Sequence, residues 1–421
     1  MFQNMENIAR AGDLRRRILF TLLMFAVFRL GIYIPVPGVD AAALQTFVKS
    51  GSITLFGLLN LFSGGAFFTF SIFAMSIVPY INASIIMQLL TVVIPRVEEL
   101  QKEGADGQKK INEWTRYLTV ALALIQAFGT TVTLNRLTGV VSVPGFGSIL
   151  LITLVLAAGS VFLMWVGEMI TEFGIGNGAS LIIFIGIVSR LPSGISAAIQ
   201  YLQAGTVSPV EMLVLLVLAA AVIAVVVVMQ EGERRIPVQY AKRLVGRRMY
   251  QGATSHIPVK VNAAGVIPLI FAVSLLFLPS TLASFFPKLS PVAQMLSVTN
   301  WPMSIVEFLL VVAFTFFYTS VVFKPHDVAD NIRKLGGFIP GIRPGHPTAQ
   351  YLERVSTRIT VLGAIFLGAV AVLPFLIFKL TGLQVYFGGT ALLIVVGVAL
   401  DTMKQIQAQL VMRNYQGFLK S

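Results

Sequence analysis

Ten stretches of this chain are apolar for roughly the length of a bilayer crossing: about 18–35, 71–94, 116–134, 149–169, 179–199, 210–229, 263–284, 303–323, 359–378 and 388–403. A hydrocarbon core about 30 Å thick requires roughly 20 such residues per helix. Backbone that crosses lipid must satisfy its own hydrogen bonds, which restricts long apolar runs of this kind to helices. The expected fold is therefore an all-α polytopic membrane protein with ten transmembrane helices. Composition agrees, with 12% charged residues against about 25% in soluble domains.

Lysine and arginine placement sets the expected orientation. With the N-terminus inside, the inner segments hold 4, 5, 0, 7, 6 and 3 basic residues, 25 in all. The outer loops hold five, Lys49, Arg136, Arg190, Lys288 and Lys379, and Arg29 lies within span one. The formal charge of +13 is thus loop charge on one side of a membrane rather than a nucleic-acid face, and both termini are expected in the cytoplasm. The first apolar run exceeds the 7 to 15 residues of a cleavable leader and contains Arg29, so it reads as a retained span.

The two halves look related. Span two contains IVPYI (77–81) and span seven VIPLI (266–270); span five opens GNGASLIIFIGIV (176–188) and span ten GGTALLIVVGV (388–398). Five spans per half inverts the second copy, and inverted repeats build central pathways at their interface. The expected division is 1–205 and 206–421, with Pro79 and Pro268 inside spans two and seven.

Enzymatic chemistry is not expected. The chain has no cysteine, its three histidines, His256, His326 and His346, fall in loops, and no carboxylate pair sits at mid-depth. No cofactor or metal is implied. The alternative, an inverted-repeat secondary transporter, would bury coupling carboxylates; Arg29 and Glu168 read instead as topological or structural groups. Asn82, Ser84, Gln88 and Asn262 are uncharged polar residues within spans, suited to interhelical hydrogen bonds or to a separable seam. The loops 230–260 and 324–358 are long, basic and rich in Gly and Pro, which favours partner docking. ITLFGLLNLFSGGAF (53–67) is an apolar segment too short to cross a membrane.

These residues resemble the SecY family, central subunits of the bacterial protein-conducting channel. The resemblance runs through FRLGIYIPVPGVD (28–40), LFSGGAF (61–67), SIFAMSIVPYINASIIMQLL (71–90), GEMITEFGIGNGASLIIF (167–184), ERRIPVQYAKR (233–243), VNAAGVIPLIFA (261–272), ADNIRKLGGFIPGIRPG (329–345) and YFGGTALLIVV (386–396). It implies two five-helix halves around a pore whose constriction is a ring of Ile77, Ile81, Ile183, Ile270 and Ile394. It implies a plug at 53–67, comprising Leu55, Phe56, Leu58, Leu59, Asn60, Leu61, Phe62, Ser63, Gly64 and Gly65. It implies a lateral gate, to which Gln88 and Asn262 are assigned, and a docking surface for the ribosome and the SecA ATPase on which Arg243, Arg247, Arg248 and Arg343 match recurrent basic positions. The partner subunits SecE and SecG are implied as well, together with a place in the bacterial inner membrane. The FFTF stretch at 67–70 departs from relatives that carry a charge there.

Overall fold

The computed structural model describes residues 12–44, 63–135, 139–143, 145–205, 207–240, 243–245, 248–250, 254–285, 301–381 and 389–418. Each of the ten apolar stretches holds a helix: α1 (Gly12–Gly31), α2 (Val78–Val93), α4 (Ala105–Asn135), α5 (Phe146–Phe173), α6 (Gly178–Val188), α8 (Pro209–Glu231), α9 (Ile267–Phe285), α10 (Trp301–Val322), α12 (His346–Thr381) and α13 (Gly389–Phe418). Shorter helices are α3 (Pro95–Lys102), α7 (Leu191–Gln203) and α11 (Pro325–Lys334). Among the described residues seven helices are long and apolar enough to cross a membrane unaided, α6 with α7 and α10 with α11 each counting as one. The pair α2 and α3 passes the same test together, bent by 98° at Ile94. Pro95 at the start of α3 stops α2, and the elbow is closed by buried Met87, Val97 and Ile111.

The chain forms two units: Met1–Pro209 with Val273–Ser304 and Val398–Ser421, and Val210–Ala272 with Ile305–Gly397. In the first, Phe73 is stacked between Phe28 of α1 and Phe162 of α5, with ring centroids 6.0 and 5.9 Å apart. Phe67 and Phe70 are buried with Ala123 and Ala127 of α4 and Ile152 and Leu156 of α5. Two phenylalanines of the FFTF stretch thus belong to a core. The C-terminal part of α13 joins this unit through Gln405, whose Oε1 accepts from the Gly176 amide at 2.9 Å.

In the second unit the two long loops fold together. Strand β1 (Glu233–Tyr240) pairs antiparallel with β4 (Thr254–Lys260), Ile236 opposite Ile257, and with the two-residue β5 (Gly337–Phe338), giving the order β4-β1-β5. A separate ladder joins β2 (Arg243–Val245) to β3 (Arg248–Tyr250). Alternation puts Ile236 and Val238 on one face of β1, where they are buried with Val259, Ile332 of α11 and Leu352 of α12. The helical fold thus carries a small β-sheet that hydropathy does not reveal.

The prolines depart from expectation. Residues 72–77 and 261–266 are turns, and the helices begin only at Val78 and Ile267. Pro79 and Pro268 are each the second residue of their helix rather than internal. There the missing N–H is one that no carbonyl of the helix would have bonded, and the fixed φ suits the first turn. Each six-residue turn is gripped by a glycine of the fourth span in its half. A Cβ on Gly159 of α5 would collide with the carbonyl oxygen of Ile72, and one on Gly363 of α12 would lie 2.5 Å from that of Val261. Small residues allow such backbone approach between membrane helices.

Gly159→Ala and Gly363→Ala should each destabilise the fold by about 1–3 kcal/mol, the usual cost of overpacking. A fall in the thermal unfolding midpoint of the detergent-solubilised protein measures it; an unchanged midpoint would show that the turns yield.

Candidate functional site

The internal repeat becomes a local structural motif at the start of α2 and α9. The residue two places before each helix is left-handed, Ser76 at φ 53° and Gly265 at φ 65°. Glycine adopts that conformation freely, whereas a serine there carries strain of about 1 kcal/mol or more. The fourth residue of each helix is isoleucine, and its amide donates back to the turn: Ile81 to the Ile77 carbonyl at 3.1 Å, Ile270 to that of Val266 at 3.2 Å. The second pair matches too, since Ile183 and Ile394 are each the sixth residue of α6 and α13. Asn177 caps α6 by accepting from the Ser180 amide at 3.1 Å.

All five isoleucines are buried, none more than 6% exposed. In the first unit Ile77 reaches α5: a Cβ on Gly167 would lie 3.3 Å from the Ile77 Cδ1 and 3.4 Å from that of Ile182. Gly186 and Gly397 follow Ile183 and Ile394 by three residues. A Cβ on Gly64 would come within 3.0 Å of the Gly186 Cα, and one on Gly397 would collide with Val266. The backbone is therefore packed tightly around these positions in each unit.

Of the plug residues, Leu55, Phe56, Leu58, Leu59, Asn60, Leu61 and Phe62 lie outside the described residues. Ser63 is buried and its Oγ accepts from the Phe67 amide at 3.3 Å. Gly64 and Gly65 have φ of 67° and 96°, left-handed values that glycine alone adopts without penalty.

The polar candidates divide. Gln88 Nε2 reaches Ser84 Oγ at 3.5 Å, the limit of a hydrogen bond, one turn back on α2. Asn262 lies in the turn before α9 rather than in a helix, and its Nδ2 donates to the Gly265 carbonyl at 2.9 Å. That contact holds the left-handed residue in place and is a local use of the side chain. Arg29 Nη2 donates to the Tyr33 hydroxyl at 3.1 Å. Glu168 of α5 accepts from Arg116 Nε of α4 at 2.9 Å, an interhelical pair that the sequence does not announce.

Arg343 is exposed in the turn between β5 and α12. The turn is pinned on both sides: the Ile342 amide donates to the Ile339 carbonyl at 3.0 Å, and the Thr348 hydroxyl donates to the Arg343 carbonyl at 2.8 Å. Ile339 and Ile342 pack into the core under the sheet. Arg243 and Arg248 lie on opposite strands of the β2–β3 ladder, with Arg243 opposite Tyr250 and Arg248 opposite Val245. Arg247 lies outside the described residues.

The SecY family pattern matches residues 71–403. Protein translocase subunit SecY of Halalkalibacterium halodurans is 48% identical over the whole of both chains. This chain belongs to the SecY family. The Thermus thermophilus SecY subunit is 47% identical over 97% of this chain and 95% of that one. The SecY fold is found again among solved structures. One is a SecY protein whose plug domain is described as stabilising the closed state of the translocation channel and maintaining a membrane seal; it has a TM-score of 0.65 at 19% identity over 94% of this chain and 92% of that one. Another is Sec61 in the canine ribosome-channel complex, with a TM-score of 0.61 at 18% identity over the same shares. A multi-pass membrane protein with the SecY fold is thus the frame in which these residues sit.

Ser76, Gly159, Gly363 and the Arg116–Glu168 pair escape a reading of the sequence. Alignment of the repeats does offer one signal, since it sets Ser76 against Gly265.

The repeat generates a substitution test. Ser76→Gly should be neutral or stabilising by up to about 1 kcal/mol, whereas Gly265→Val should destabilise by about 1–3 kcal/mol, because a β-branched residue resists positive φ. Thermal midpoints of the two variants measured side by side check the sign of each.

Proposed function

We propose that this chain is the protein-conducting channel of a bacterial cytoplasmic membrane, passing secretory polypeptides across it and releasing apolar segments sideways into lipid. Membership of the SecY family, with isoleucine at every matched ring position, carries the reading. In this proposal Ile77, Ile81, Ile183, Ile270 and Ile394 form one constriction, contributed by the halves 1–205 and 206–421.

The physical chemistry suits the task. A translocating chain presents every kind of side chain in turn, so fixed hydrogen-bond partners would hold some and stall the chain. Branched apolar side chains give a collar that yields and recloses without strong partners, and a narrow apolar constriction opposes ion flow by dewetting. Charged segments then face a thin barrier instead of a full hydrocarbon core. At a lateral opening, apolar residues are favoured in lipid while charged ones cost roughly 2.5–3.5 kcal/mol each at the centre.

Residues 53–67 are the proposed plug, rooted at Ser63, Gly64 and Gly65. Gln88 and Asn262 are assigned to the lateral gate. Arg243, Arg247, Arg248 and Arg343 form the proposed docking face for the SecA ATPase and the ribosome, with Arg343 foremost because its turn is rigid and the side chain exposed. SecE and SecG complete the assembly, and both termini are cytoplasmic. The chain has no phosphate-binding GxxxxGK[ST] loop, so a partner supplies the energy.

Reconstitution with SecE, SecA and ATP should render a secretory precursor protease-resistant inside vesicles. Absence of protection, with the same partners active on another channel, would overturn the proposal. Replacing Ile81 and Ile270 by Gly should raise the resting ion conductance in planar bilayers; an unaltered conductance would remove them from the constriction.

A further inference from the structure

The C-terminal end of α6 and the two residues that follow it grip the segment that delivers Ile77 and Ile81, through Gly186, Ser189 and Arg190. Gly64, left-handed at φ 67°, approaches so closely that a Cβ there would lie 3.0 Å from the Gly186 Cα, 3.1 Å from the Gly186 carbonyl oxygen and 3.2 Å from Ser189 Oγ. Four residues beyond Gly64, the Phe68 ring lies beneath the Arg190 guanidinium, whose carbon is 5.3 Å from the ring centroid.

From Phe68 to the helix start the segment is continuously tied. The Thr69 hydroxyl donates to the Ile32 carbonyl at 3.1 Å, and the Ile72 amide donates to the Ile34 carbonyl at 3.0 Å. The Val36 amide donates to the Phe70 carbonyl at 2.9 Å, and Ser71 bonds back to Ala66 at the same distance. Phe67 and Phe70 are buried on either side. A displacement imposed at Phe68 therefore reaches Ile77 through packed backbone rather than through a slack loop. Arg190 lies two residues past the end of α6, which carries Ile183, and is bonded back to that helix through its amide, which donates to the Ile187 carbonyl at 3.1 Å.

We infer that Arg190, acting through Phe68, is a positioning residue that sets the register of Ile77 and Ile81 against Ile183. The inference rests on the constriction proposed above and adds a residue outside it. An outer-loop arginine kept only for membrane topology would act by its charge alone and would be indifferent to the ring beneath it. A positioning cation needs that ring. Cation–π contacts at partly exposed sites correspond to about a two- to fivefold shift in an equilibrium.

The test is resting ion conductance of the full chain, reconstituted with its partner subunits in planar bilayers, with Ile81→Gly as the control. Arg190→Ala and Phe68→Leu should each raise conductance about two- to fivefold, the double variant no further than either single, and Arg190→Lys should stay near the parent. Unchanged conductance in Arg190→Ala or in Phe68→Leu, or a double effect equal to the product of the singles, overturns the inference. If Arg190→Ala is not recovered as monodisperse protein, Arg190→Gln takes its place in the same cycle. A control that fails to leak brings down the constriction itself; a control that leaks while the Arg190 and Phe68 variants do not brings down only the positioning role.

Discussion

Every unpaired backbone amide or carbonyl in hydrocarbon costs several kcal/mol, so non-helical chain persists at membrane depth only where protein covers it. The rest of this structure follows from that constraint at two places. Helix α2 has 16 residues and is therefore about 24 Å long, short of a bilayer core. The turns at 72–77 make up part of the difference and need cover on all sides. Phe28, Phe162 and Gly159 provide it in the first unit, and Gly363 lies against the matching turn in the second. The glycines are small because a carbonyl must lie against them, and the prolines stand second in their helices because that position asks for no amide.

The two copies of this motif are fed from different sources. In the first half the chain arrives through the glycine-rich stretch 63–70. In the second it arrives directly from β4, whose last residue, Lys260, adjoins the turn, while the Val261 amide donates to the Gly232 carbonyl at 2.9 Å. The sheet beneath the proposed docking face therefore lies ten residues from Ile270, with the turn 261–266 between. One local architecture is thus joined to two different segments: the first copy to the stretch 63–70, the second to a sheet strand.

Much of this was legible in the sequence. All ten apolar runs hold helices, because hydropathy measures what lipid selects. The offsets of IVPYI and VIPLI correctly announced a repeated substructure. What hydropathy cannot distinguish is a buried helix from buried irregular backbone, since both must be apolar; hence α2 and α9 begin later than the runs do, and their prolines shift from interior to first turn. The sheet was missed for the opposite reason. ERRIPVQY and TSHIPVK alternate apolar residues with polar ones, but their charge and prolines resemble a solvated loop until α11 and α12 cover the apolar face. Contacts such as Arg116 with Glu168, or Gly363 with Val261, join residues 52 and 102 positions apart, and neither partner carries a local mark. The ring assignments came through family resemblance; spacing alone does not single those isoleucines out from their neighbours.

The core beneath the sheet has a consequence for biogenesis. Ile236 is buried with Leu352, 116 residues later in the chain. At roughly 5–20 residues per second the ribosome needs about 6 to 23 s between the two, and α9 and α10 are synthesised during that interval. The residues of β1 are therefore made long before those that cover their apolar face, and that core is complete only once about four-fifths of the polypeptide exists. A nascent copy thus lacks a finished sheet until most of its second half has been made.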